Sequence, residues 1–126
     1  MSAKAKILVV DDEKIVCDMS RVFLTRDGYE VTTFTSSVEA RAALEKETFD
    51  VIITDLKMKE VDGLELLEYA KKKHPGTKVI VLTAFGTLET AEEVFHKDAF
   101  DFFTKPVRIN DLQASVRRAL GREDEE

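Results

Sequence analysis

One cysteine, Cys17, stands in the 126 residues, so no internal disulfide can form and no second thiol completes a zinc site. A reducing cytoplasm is the compartment this usage predicts. Proline is nearly absent, with 2 residues, and glycine is sparse, with 5; no linker, repeat or low-complexity stretch interrupts the chain. No apolar run approaches the roughly 20 residues that cross a bilayer, and Met1 to Val10 is too short for a signal peptide, so no membrane partner is expected. Positive charge is also in deficit. A formal net charge of −6 argues against direct nucleic-acid binding, which rests on clustered Lys and Arg.

What is present is a set of short apolar runs, each ending on polar residues. Ile7 to Val10 leads into Asp11-Asp12, Val51 to Ile53 into Thr54-Asp55, Val79 to Leu82 into Thr83, and Phe102-Phe103 into Thr104-Lys105-Pro106. Runs rich in Val and Ile between helical stretches read as parallel strands buried on both faces. The pattern predicts five βα units in one domain: strands at about Lys6 to Val10, Glu30 to Phe34, Asp50 to Thr54, Lys78 to Leu82 and Asp101 to Phe103. The helices fall at about Lys14 to Arg26, Ser37 to Lys46, Gly63 to His74, Leu88 to Lys97 and Ile109 to Leu120. Punctuation agrees: Asp27-Gly28 closes the first helix, Ser36 with Glu39 and Asp62 with Glu65 form capping boxes, and Pro75-Gly76 ends the third. Ile15, Met19, Val22 and Phe23 share one helical face, predicted to pack on the sheet. The tail from Gly121 to Glu126 is expected to fray.

Parallel strands point their carboxyl ends one way, so Asp11, Asp12, Asp55, Thr83 and Lys105 are predicted to converge where open α/β sheets bind ligands. Three crowded carboxylates repel one another, and a hard divalent cation with oxygen ligands, Mg²⁺, relieves that repulsion. With the cation in place a carboxylate can attack phosphorus, while Lys105 and the Thr83 hydroxyl face the phosphoryl oxygens. Taken singly, each Asp could be a helix cap or turn former and Thr83 a turn residue; Asp12 has a cap of the first helix open to it as a second role.

From Lys6 to Leu120 these residues resemble the receiver domain of bacterial two-component response regulators. The resemblance rests on Asp11-Asp12, Thr54-Asp55-Leu56-Lys57-Met58, Asp62-Gly63-Leu64-Glu65-Leu66-Leu67, Thr83-Ala84 and Lys105-Pro106. It implies a doubly wound, flavodoxin-like parallel sheet of order 2-1-3-4-5 with five helices. It implies Asp55 as phosphoacceptor, Asp12 as a direct Mg²⁺ ligand, Asp11 acting partly through water, and the Lys57 backbone carbonyl completing the set. Lys105 would pair with the phosphoryl group, Thr83 would swing its hydroxyl toward it, and Phe102 would act as the aromatic switch. The implied donor is a sensor histidine kinase, a phosphotransfer protein or a small phosphodonor. The implied output is an effector domain, a partner protein or a homodimer, reached through the fourth helix, fifth strand and fifth helix. On this reading the chain is no general enzyme and catalyses only its own phosphorylation and dephosphorylation. It is either a free-standing regulator or one domain of a longer protein.

Four positions depart from the family pattern. Lys59 replaces the usual Pro after Met58, Asp98 replaces a common Gly where φ is often positive, and Phe102 lacks a hydroxyl. Arg108 stands where a capping Asp is frequent, which leaves Asn110 as candidate cap. Among rivals, a haloacid-dehalogenase-type phosphatase needs a second Asp two residues after the first, and Glu13 stands there. A flavin binder needs a phosphate-cradling loop where this chain has two carboxylates. A degenerate receiver is countered by the intact set. Lys71, Lys72 and Lys73 are expected to be a solvated helix end, His74 and His96 surface residues, and Cys17 a packing residue.

Overall fold

The computed structural model describes residues 4–58 and 60–122. Lys59, one of the four departures from the family pattern, and most of the acidic tail expected to fray lie outside the described residues. Five strands, β1 (Lys6–Val10), β2 (Glu30–Phe34), β3 (Val51–Asp55), β4 (Lys78–Thr83) and β5 (Asp101–Thr104), alternate with helices α1 (Lys14–Arg26), α2 (Ser37–Lys46), α3 (Gly63–Lys73), α4 (Leu88–His96) and α5 (Ile109–Ala119). All neighbours pair in parallel in the order β2-β1-β3-β4-β5, which is the flavodoxin-like order expected.

Two-residue periodicity divides the strands between two cores. Leu8, Val10, Ile52, Val79 and Val81 pack with Leu44, Leu66, Leu67 and Val94 on one face of the sheet. Ile7, Val9, Val51, Ile53, Ile80 and Leu82 pack with Leu24, Leu112 and Val116 on the other. Each fully buried Leu or Ile contributes about 1.5–3 kcal/mol relative to exposure, so both faces fix the register that brings the strand ends level.

Most of the apolar stripe of α1 faces outward, contrary to expectation: Ile15, Met19 and Val22 are exposed and Phe23 is only partly buried, while Cys17, Ser20 and Leu24 are buried. The small side chains of Cys17 and Ser20 let α1 lie close to the sheet, with Cys17 Sγ 3.4 Å from the Asp11 carbonyl oxygen. Asp62 and Glu65 form the full capping box of α3, whereas at α2 the Glu39 N–H donates to Ser36 Oγ with no reciprocal bond among the described residues. A second full box, Thr87 with Thr90, opens α4 and was not anticipated. Asn110 lies inside α5 and does not cap it; the N-cap is Arg108, without a side-chain bond. Nor does Asp12 cap α1, whose N-cap is Glu13.

Asp98 adopts φ 75°, the conformation its position suggested. Lys71 is not solvated. Its ammonium donates to the Pro75 and Thr77 carbonyls at 2.8 and 2.9 Å and lies 3.4 Å from Asp98, tying the α3–β4 turn to the corner after α4. His96 is exposed, but His74 is partly buried with Nε2 3.2 Å from Thr48 Oγ1.

Candidate functional site

The strand ends bring the site together. Asp55 is the last residue of β3 and Thr83 of β4, each one position further into its strand than the sequence pattern suggested, while Asp11 follows β1 and Lys105 follows β5. Ladder bonds extend to these residues because the register pairs Asp55 with Leu82 and Thr83 with Thr104. Their backbones are thereby held as rigidly as the sheet.

Oxygen atoms of Asp11, Asp12 and Asp55 lie within 4.8 Å of one another. Lys105 Nζ stands between them, 2.8 Å from Asp11 Oδ2, 3.1 Å from Asp55 Oδ2 and 2.8 Å from Glu13 Oε1. Hydrogen bonds run to Glu13 and Asp55. Toward Asp11 Oδ2 the contact is ionic without hydrogen-bond alignment, which leaves that buried oxygen without a hydrogen-bond partner among the described residues. Burial pushes the Asp11 carboxyl above the usual range, against the opposing pull of Lys105 and the Glu13 amide. Burial also disfavours the charged Lys105 ammonium, but the neighbouring Asp11, Glu13 and Asp55 carboxylates outweigh this and hold its pKa above the ordinary lysine value. Three carboxylates in reach of one another, two of them buried and Asp12 exposed, make a donor set suited to a hard divalent cation.

The two oxygens of Asp55 are not equivalent. Oδ1 accepts from the Leu56 and Lys57 N–H groups at 2.6 and 3.3 Å, whereas Oδ2 faces only Lys105 among described hydrogen-bond donors. The loop below is fixed by Gly63, whose N–H donates to the Leu56 carbonyl at 2.8 Å. A Cβ on Gly63 would lie 2.0 Å from the Asp55 carbonyl oxygen, so only glycine lets α3 begin this close to β3.

Thr83 is fully buried, and its hydroxyl accepts from the Phe85 N–H at 3.1 Å. The Lys105 N–H donates to the Thr83 carbonyl at 2.8 Å, but no hydrogen bond joins the Thr83 hydroxyl to the Asp55 or Lys105 side chain among the described residues, so the carboxylates and the lysine are assembled while the hydroxyl points elsewhere. Phe102 is partly buried against the core beneath α4, its ring 6.5 Å from that of Phe95, which is itself half exposed. Lys57 extends its ammonium to 6.0 Å from the Phe85 ring centroid. Glu13 is the site residue that sequence reasoning missed; its only signal was its place directly after Asp11-Asp12.

Among known proteins, a family model described as the response regulator receiver domain matches residues 7–117. The response regulator protein PilR of Pseudomonas aeruginosa is 36% identical over 118 residues, covering 94% of this chain and 26% of PilR. The solved structure of a CheY-like response regulator receiver domain protein from Methanospirillum hungatei JF-1 matches with a TM-score of 0.90 at 33% identity, covering 94% of this chain and 95% of that one. The solution structure of the beryllofluoride-activated NtrC4 receiver domain dimer matches with a TM-score of 0.87 at 29% identity, covering 92% of this chain and 96% of that one. The chain spans about a quarter of the length of the curated relatives it matches.

Proposed function

The chain belongs to the response regulator receiver domain family, and we propose on that premise that it is a phosphorylation switch whose acceptor is Asp55. The observation that carries this reading is the Lys105 ammonium held between the buried Asp11 and Asp55 carboxylates, with the Asp12 carboxylate in reach of both. With Oδ1 occupied by two backbone donors, Oδ2 of Asp55 is the oxygen with a lone pair free to attack phosphorus. As that P–O bond forms, the bond from phosphorus to the donor breaks and its electron pair leaves with the donor. Water later attacks the same phosphorus, and the Asp55 carboxylate and inorganic phosphate are regenerated. The chain thus acts only on itself.

Asp11, Asp12 and Asp55, with the Lys57 carbonyl, would hold Mg²⁺, which when bound supplies positive charge against the phosphoryl oxygens. Lys105 then shifts its donors from carboxylates to the phosphoryl group, where charge-assisted hydrogen bonds are strong. The Thr83 hydroxyl leaves the Phe85 amide for a phosphoryl oxygen, and Phe102 turns inward into the space this vacates by shape alone, having no hydroxyl. A local charge event thereby biases the α4–β5–α5 face. That face presents Leu88 and Phe95 to solvent, and Phe85 stands exposed just before α4, which supports signalling through an effector domain, a partner protein or a second copy. The phosphoryl source is a sensor histidine kinase, a phosphotransfer protein or a small phosphodonor in the cytoplasm.

Metal removal tests the cation's place in this scheme. An arriving cation competes with Lys105 for Asp11, whereas Asp12 is exposed and free of that contact. Asp12→Ala is therefore expected to weaken Mg²⁺ binding more than Asp11→Ala, which also removes a buried charge. Thermal unfolding reads this out, because a ligand at ten times its Kd adds about 1.4 kcal/mol to the folded state. Equal Mg²⁺ affinities in the two variants contradict the ligand assignment.

A further inference from the structure

Lys105 carries three N–H donors. Asp55 takes one at 3.1 Å and Glu13 takes another at 2.8 Å, while Asp11 Oδ2 is close but off the bond direction. The Lys105 side chain is only 13% exposed, so the Glu13 carboxylate, at 58%, is the partner on the solvent side. A phosphodonor approaching Asp55 Oδ2 from that side meets the Glu13 carboxylate on the most exposed face of the Lys105 ammonium.

Resting on the reading above, we propose that Glu13 is a positioning residue: it stands in for the phosphoryl oxygen on Lys105 in the unphosphorylated protein and must yield that donor before transfer. Its backbone favours this part. Glu13 is the N-cap of α1 without using its side chain for capping, and its N–H donates to Asp11 Oδ1 at 2.9 Å. The residue is thus tied to the site by its main chain while its carboxylate lies open to solvent. No bond is made or broken in this step; one acceptor replaces another on the same ammonium.

Glu13→Gln removes both the competing acceptor charge and a negative charge facing an anionic phosphodonor. Exposed ion pairs carry little free energy, so phosphorylation of the intact chain by a small acyl phosphate with Mg²⁺ is expected to quicken modestly, by about two- to fivefold. Asp18→Asn serves as the control. It removes the same unit charge from α1 itself, where Asp18 pairs with Lys14 at 2.8 Å and not with Lys105, and its rate is expected to stay at the wild-type value. Nitrogen-detected spectra of the Lys105 ammonium add a readout that a purely structural role leaves unmoved: Glu13→Gln is expected to shift the signal before phosphorylation and to leave it unchanged afterwards. An unaltered or slower rate in Glu13→Gln, an equal acceleration in Asp18→Asn, or an unmoved Lys105 signal in the unphosphorylated variant each overturns the inference. Failure of the wild-type chain to take phosphate on Asp55 strikes the underlying reading instead.

Discussion

Asp55→Asn is expected to abolish uptake of the base-labile phosphoryl group from a small phosphodonor, slowing it by several orders of magnitude, as loss of a nucleophile does. Asparagine keeps an oxygen that can accept from the Leu56 and Lys57 amides, so the loop geometry survives. What disappears is the charged oxygen facing Lys105 and one of three mutually repelling carboxylates. The variant therefore folds, and mass spectrometry of intact protein and of the Asp55 peptide reports on chemistry alone. Labelling at the wild-type rate would remove Asp55 from its role.

The second large effect comes from a residue with no side chain. In Gly63→Ala the new Cβ meets the Asp55 carbonyl oxygen at 2.0 Å and Leu56 Cα at 2.8 Å, both backbone atoms that cannot rotate away. Forcing α3 back breaks its bond to the Leu56 carbonyl and shifts the strand end that carries Asp55. A cost of about 3 kcal/mol follows, on the order of a 10 °C fall in Tm for a domain of this size. Gly76→Ala is the contrast, since nothing lies within 4 Å of the added methyl; its midpoint is expected to stay near the wild-type value. Denaturant unfolding of the two variants checks this, and an unchanged midpoint in Gly63→Ala contradicts the close approach.

The strands and most helix ends were legible because alternation, apolar runs and capping residues are local signals. Convergence of Asp11, Asp12, Asp55 and Lys105 then followed from parallel direction alone. The face of α1 was not legible: Ile15, Met19 and Val22 and the buried Cys17, Ser20 and Leu24 both follow helical spacing, and the choice was made by the close fit of small residues against the sheet. Glu13 escaped notice because its partner, Lys105, is 92 residues away, and an exposed glutamate has no composition signal. Gly63 was part of a recognised motif, but its reason is a distance to the Asp55 carbonyl that only coordinates reveal. The Thr83 hydroxyl, expected at the phosphoryl group, accepts from the Phe85 amide two residues on, a local turn bond that the strand pattern does not announce.

Amide chemical shifts recorded before and after phosphorylation of the wild-type chain with Mg²⁺ address the switch itself most directly. The account predicts changes that begin at Asp55, Thr83 and Phe85 and extend through Leu88–His96 and Asp101–Thr104. Changes confined to the Asp55–Met58 loop, with α4 and β5 unmoved, would contradict it.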